Sequence, residues 1–497
     1  MLEYLLTHHR WIFVCFFLLP ISAVYKVLFY IRNKVVFWLA SAPKRHDSRV
    51  KHIQRQVRQW KSDGSRNFMC TARPGWLTMC IKVPRYKETC TNIKVDLYDV
   101  LNVDEARKVV RVEPLATMGQ VTSLLNPLGW TLPVIPELDD LTVGGLIMGC
   151  GIETSSYKYG LFQNICVSFE VVLADGSVVT CSKDDNPDLF YAVPWSHGTL
   201  GFLVSAELQI VKTSQYVRIH YKPIQGSSSR QLVDAVQRGC ENCENDFVEC
   251  LVYSKSTGVI MTGQYTDGCE PDKVNTISRF WKPWFFLHVK RFLLEDREAI
   301  EYIPLRDYYH RHTKSIFWEL QDIIPFGNNV MFRYLFGWLV PPPVSLLKLT
   351  QTNTTKRLYE LHHVVQDILV PVNKMSDTLN MLDKQLQLYP IWICPFKLTS
   401  QPGLVHPLGD EDEMYVDIGL YGNPQVKPFI AKDCIRNIEQ FARQVHGFQM
   451  LYGDTYMSRE EFHEMFDHTC YNEMRKKLNC ENAFPEIYDK VCKAARK

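Results

Sequence analysis

An α+β chain of two or three domains behind an N-terminal membrane helix is the architecture that the 497-residue sequence predicts. Three observations predict it. At about 150 residues per domain, the chain is too long for one core. Residues 68–211 carry short apolar runs broken by turn signals, strands mixed with longer helical stretches follow residue 216, and the stretch from Ser458 is strongly helical. Residues 11–25 (WIFVCFFLLPISAVY) hold no charge. The net charge of +2, from 56 Lys and Arg against 54 Asp and Glu, leaves no basic field that would recruit nucleic acid.

Beyond Lys26 the apolar character resumes in VLFYI, and the segment reaches the roughly 20 residues of a bilayer span if Lys26 snorkels. Residues 1–38 are therefore assigned to a membrane anchor. Lys26, Arg32, Lys34, Lys44, Arg45, Arg49 and Lys51 on its C-terminal flank outweigh Arg10, and the positive-inside rule places the body in the cytosol. There the 16 scattered cysteines stay reduced. Cys240 and Cys243 have C-x-x-C spacing but lack the other two ligands of a structural zinc site. Asn353-Thr354-Thr355 matches a glycosylation sequon, which has no meaning on the cytosolic side.

Residues 49–60 (RVKHIQRQVRQW) read as a basic amphipathic helix with Val50, Ile53, Val57 and Trp60 on one face. WLTMCIKV, KVVRVEP, FEVVLADGSVVT and GFLVSAELQIV read as strands, with Ala174-Asp175-Gly176-Ser177 as a hairpin turn. Thr117 caps a helix that ends before Gly129. Two aromatic patches, FWKPWFF at 280–286 and FRYLFGWLV at 332–340, set rings beside cations as a membrane interface does.

Residues 140–160 (DLTVGGLIMGCGIETSSYKYG) concentrate glycine at 144, 145, 149, 151 and 160. Gly149-Cys150-Gly151 supplies half of a G-x-G-x-x-G fingerprint, but Thr154 stands where the third glycine belongs, so a simple Rossmann turn fits poorly. Backbone without Cβ atoms still lets N–H groups face phosphate oxygens. His463-Glu464 with His468 misses H-E-x-x-H because Asp467 occupies the required position, and no metal is expected. Neither a Walker A sequence nor a G-x-S-x-G elbow is present.

ARPGWLT (72–78), PELDDLTVGG (136–145), KYGLFQNI, VLADGS and DLFYAVPWSHGTLGFLV (188–204) resemble, in this order and spacing, the FAD-binding domain of the vanillyl-alcohol-oxidase or para-cresol-methylhydroxylase (PCMH) superfamily. The resemblance implies a PCMH-type domain of two α+β subdomains over residues 39–213. A mixed α/β substrate or cap domain over 214–440 would follow, and a helical segment, 441–497, would return to the FAD domain. The FAD diphosphate would lie against the loop of Thr142, Val143, Gly144, Gly145, Leu146, Ile147, Met148, Gly149, Cys150, Gly151, Ile152, Glu153 and Thr154. Arg73, Pro74 and Gly75 would face it, and Gly198 and Gly201 would close over the cofactor. Since Arg73-Pro74-Gly75-Trp76 contains no histidine to tether a flavin, FAD is expected to be noncovalent.

The anchor and the strings YIPLRDYYHRHTKSIFWELQDIIPFGNN (302–329), SQPGLVHP (400–407) and HGFQMLY (446–452) are similar to those of the Δ24-sterol reductase, or Diminuto, family. Ala72, Cys150 and Tyr157 depart from its pattern, which usually has Gly, Thr and His there. This resemblance implies reduction of the C24=C25 bond of sterol intermediates in cholesterol biosynthesis, with NADPH as reductant, by a single-pass protein of the endoplasmic reticulum membrane. An unactivated alkene needs a proton at C24, which leaves cationic character at C25, and a hydride to quench it. Acids in apolar runs make suitable proton donors. Glu319 and His312 are the candidates, with Tyr452 a third. Two rival readings are a flavin oxidase of a polar alcohol and a membrane-tethered interaction protein that has lost turnover.

Overall fold

The computed structural model describes residues 9–40, 43–78, 83–341, 357 and 360–496. The sequon at 353–355 and residues 79–82 of the expected WLTMCIKV strand lie outside them; that run begins instead as the 3-10 turn Gly75–Leu77. A helical run from Arg10 widens into the π-turn Val14–Leu18 ahead of Pro20, which has no N–H to give, and continues as the helix Leu19–Ala40. Its first part, Arg10–Leu28, is long and apolar enough to cross a membrane. Val14, Leu18 and Ser22, one turn apart, are buried, whereas Phe17, Ile21, Val24 and Leu28 are exposed.

The helix His46–Ser62 buries Val50, Ile53, Val57 and Trp60, the four positions its periodicity selects. It is fixed to the domain beneath by His46 Nδ1 and Glu113, 2.8 Å apart, and by Arg49, whose Nη1 donates to Asp99 at 2.8 Å. That domain is built on an antiparallel sheet of five strands in the order Val100–Asp104, Val109–Val112, Phe202–Gln209, Cys166–Val172 and Val178–Ser182. The hairpin between the last two in this order turns at Gly176, with φ +81°. Thr117 caps the helix Met118–Leu125 in a reciprocal capping box with Gln120.

The second sheet has eight antiparallel strands, in the order Ala299–Pro304, Tyr216–Gln225, Thr257–Thr266, Phe247–Ser254, Ile391–Leu398, Glu413–Gly422, Val364–Pro371 and Phe448–Gln449. Alternation along its strands assigns the two faces. Val364, Ile368, Val370, Ile391, Ile393, Val416, Ile418 and Leu420 join a core covered by the helices Arg230–Glu241, Met375–Gln385 and Ala431–Gln444. Leu369, Trp392, Cys394, Phe396, Tyr415 and Tyr421 point the other way, into the core shared with the five-stranded sheet. Strand Phe448–Gln449 belongs to the larger sheet, so the segment from 441 begins there. It then returns to the first domain, where Tyr471 and Arg475 reach Thr199 at 2.6 and 3.0 Å. The helix Arg459–Met465 ends at Phe466 in extended backbone, which brings the His468 ring back to 4.1 Å from that of His463. Glu486, beside them, is already paired with Arg459.

The two domains are joined by a buried cation. Arg311, fully buried, donates from Nη2 to Glu153 on the glycine-rich loop at 2.9 Å and from Nε to Glu249 in the large sheet at 2.8 Å. Burial would raise the pKa of Glu249, but Arg311 and His312 hold it below the usual carboxylate range. Replacing Arg311 with Met leaves two buried carboxylates facing each other and is expected to destabilise the protein by about 3–5 kcal/mol. Denaturant unfolding of the purified chain measures this. Adding Glu153→Gln and Glu249→Gln should recover a large part of the loss; an R311M protein as stable as the parent would mean that the network does not join the domains.

Candidate active site

A cavity of about 540 Å³, in the size range of cofactor sites, is walled by the glycine-rich loop on one side and the inward face of the large sheet on the other. Thr142, Gly144, Gly145, Leu146, Met148, Gly149, Cys150, Gly151 and Ile152 reach it, as do Arg73, Gly198 and Gly201. Val143 and Ile147 are buried beneath the loop. Glu153 and Thr154 are held at 2.9 Å by Arg311 and the Tyr308 hydroxyl and do not line the cavity. Pro74 and Gly75 shape the turn that carries Arg73.

The glycines let this wall lie flat. A Cβ on Gly149 would stand 2.8 Å from the Gly145 carbonyl, and one on Gly201 2.7 Å from that of Val172. Ala72, in the facing loop, has no left-handed backbone, so its methyl brings no strain. The Tyr157 hydroxyl donates to the Asn245 carbonyl and does not line the cavity. Arg73, Lys87, Lys490 and Arg496 also line it. Burial lowers the pKa of Arg73 and Lys87, and burial with the neighbouring Lys87 charge brings Lys490 down to about 8. Four desolvated cations beside bare backbone form a site that an anionic diphosphate would relieve, and in this respect the residues fit FAD. His197, in the loop before Gly198, is neutral because burial lowers its pKa to about 3; its Nε2 has no partner among the described residues. A bound ligand could use that nitrogen.

The sheet side of the cavity carries acids. Asp417 is fully buried, and neither carboxyl oxygen has a partner among the described residues. Burial raises its pKa well above the usual value, and Asp367 and Glu137 add to the effect, so Asp417 holds its proton. The Asp367 carboxyl accepts from the Tyr421 and Tyr452 hydroxyls, each at 2.6 Å, and burial lifts its pKa to about 6. Gly419 makes room for this arrangement, since a Cβ there would meet the Tyr421 hydroxyl at 2.7 Å. Trp392, Phe317, Ile316 and Val365 complete an apolar surface around the acids.

Of the candidate donors, Tyr452 lies in this group and Glu319 lines the same cavity, its carboxylate held by His363 at 2.9 and 3.0 Å. His312 is not brought to the cavity. It stacks on Phe317 at 4.5 Å, faces Glu249 at 3.3 Å, and burial lowers its pKa to about 4, which leaves it without a proton to spare at neutral pH. Sequence reasoning missed Asp367, Asp417, Glu137, Lys490 and Arg496. The two aspartates carried a usable signal, one inside each of the apolar strands VVQDILVP and EMYVDIGLYG.

An FAD binding domain model matches residues 65–182, which include the glycine-rich loop. Over the whole chain, the protein is 60% identical to mouse Δ24-sterol reductase, covering 96% of that sequence. It is 46% identical to the Caenorhabditis elegans Δ24-sterol reductase homolog over the whole chain and 97% of the homolog. Identity to the Arabidopsis thaliana Δ24-sterol reductase is 38%, over 98% of this chain and 92% of the plant protein. This chain is a member of the Δ24-sterol reductase family.

Proposed function

We propose that this protein is a membrane-bound, FAD-dependent oxidoreductase that reduces the C24=C25 double bond of sterol intermediates in cholesterol biosynthesis, with NADPH as reductant. The observation that carries the reading is Asp417, a buried carboxyl with no protein partner among the described residues, set in an apolar wall facing the FAD cradle. Bound FAD, recharged by NADPH, supplies the hydride. Thr142 to Ile152, Arg73, Gly198 and Gly201 hold the cofactor noncovalently, and Lys87, Lys490 and Arg496 complete the cationic wall. Trp392, Phe317 and Ile316 exclude water from the sterol tail. Asp417 gives its proton to C24 as C25 receives the hydride. The resulting carboxylate regains a proton from solvent before the next turnover, and Asp367 with its two tyrosines, Tyr452 among them, lines the same wall. A flavin oxidase of a polar alcohol would need polar walls in place of these aromatic and aliphatic ones.

The apolar N-terminal helix and the basic flank at 26–51 support a cytosolic body held at the endoplasmic reticulum membrane by that helix. Protease added to sealed microsomes should digest the body. Full protection would refute the orientation.

Deuterated NADPH should place label at C25 and deuterated water at C24, read by NMR of the product; the reverse pattern would sink the mechanism. Acid precipitation should release all flavin, and colour kept in the pellet would show a covalent bond.

Asp417→Asn should lower kcat by about 10²–10⁴-fold, as for loss of a general acid, while flavin content stays at the parent level. Because the donor must be protonated, kcat should fall as pH rises and not as it falls. Glu319→Gln, measured alongside, is expected to lose much less. If instead Glu319→Gln abolishes turnover and Asp417→Asn does not, the proton source is Glu319.

A further inference from the structure

The short helix Val330–Phe336 and the turn Gly337–Leu339 expose Met331, Tyr334, Leu335 and Trp338, which are 72, 62, 59 and 60% accessible and fall at the spacing of one helix face. The charge on this helix, Arg333, is turned inward, where its Nε and Nη1 donate to the carbonyls of Asn328 and Trp281 at 3.0 and 2.6 Å. An amphipathic element that ties its cation to backbone carbonyls and presents rings and aliphatic side chains outward carries more exposed apolar surface than a water-facing helix tolerates.

This face continues into the exposed side of the N-terminal helix. Trp11 packs edge-on against Phe326 at 5.1 Å, Phe326 against Phe332 at 5.4 Å, and Lys26 donates to the Pro341 carbonyl at 2.6 Å. The cavity wall runs between the two, through Arg10 of the N-terminal helix and Ile316, Glu319 and Ile323 of the chain leading to Phe326.

We propose that the 330–339 element lies in the acyl layer of a phospholipid leaflet beside the N-terminal helix, and that the sterol enters the cavity sideways from that layer, between Arg10 and Ile323. The entry route rests on the sterol reductase reading; the lipid contact does not. Continuity with the apolar membrane helix is the reason the occupant is lipid and not a second protein.

Full-length protein in phosphatidylcholine vesicles with brominated acyl chains tests the contact. The emission that distinguishes it from its Trp338→Phe variant should be largely quenched. Unquenched difference emission would overturn the proposal, and cross-linking between chains through Leu335→Cys would assign the face to a second copy. For the route, Leu335→Glu/Trp338→Glu should lower kcat/KM for sterol held in vesicles about tenfold, yet leave it unchanged for sterol delivered on cyclodextrin. Equal loss in both assays would refute sideways entry. Quenching without any sterol turnover would leave the lipid contact standing and count against the reductase reading alone.

Discussion

Everything at the cavity depends on one guanidinium. Arg311 donates to the glycine-rich loop through Glu153 and to the large sheet through Glu249, and its Nη1 also satisfies the Tyr308 carbonyl at 2.9 Å. Three directional bonds from a planar fork set both distance and orientation, which a lysine in the same place could not do. The cation lies over the Tyr308 ring at 4.3 Å, and the Tyr308 hydroxyl holds Thr154, so the loop is tied to the segment around residue 311 twice. The interaction costs desolvation of three charges, a cost offset because each of the three guanidinium nitrogens finds an acceptor. The return is a fixed gap between a flat backbone wall and a wall of buried acids.

That gap explains a division of labour. The loop side is cationic and built from main chain, where bulk is the enemy. The sheet side is built from side chains, where strand alternation places Asp367, Asp417, Trp392 and Tyr421 on one face and gives the other to aliphatic packing. A buried carboxyl on such a face is expensive unless neutral. The sheet therefore creates an uncharged acid by geometry, without any special partner to protonate it.

Much of this was legible in the sequence wherever local rules decide. The helix around residue 53 follows its apolar stripe, Thr117 caps as its spacing with Gln120 indicates, and the hairpin at Gly176 forms where Asp-Gly demands it. The glycine cluster picked out a stretch that lines one wall of the cavity. What stayed hidden was long-range pairing. Asp367 and Asp417 become neighbours only because strands Val364–Pro371 and Glu413–Gly422 pair, with Leu369 opposite Asp417. No periodicity within either strand encodes that register. His312 misleads for the opposite reason: its company of rings and acids looks reactive along the chain, but Glu249 and Phe317 claim it in the folded core.

The cationic wall draws on both ends of the described chain. Arg73 and Lys87 precede the first sheet, whereas Lys490 and Arg496 arrive after the second sheet is complete, Arg496 donating to the carbonyls of Leu451 and Gly453 at 2.5 Å. A polypeptide emerging from the ribosome with only its flavin-type domain made would present an unfinished cradle, missing half of its positive charge. The cationic lining of the cavity is therefore complete only once the stretch through Arg496 has been made and has folded back on the first domain.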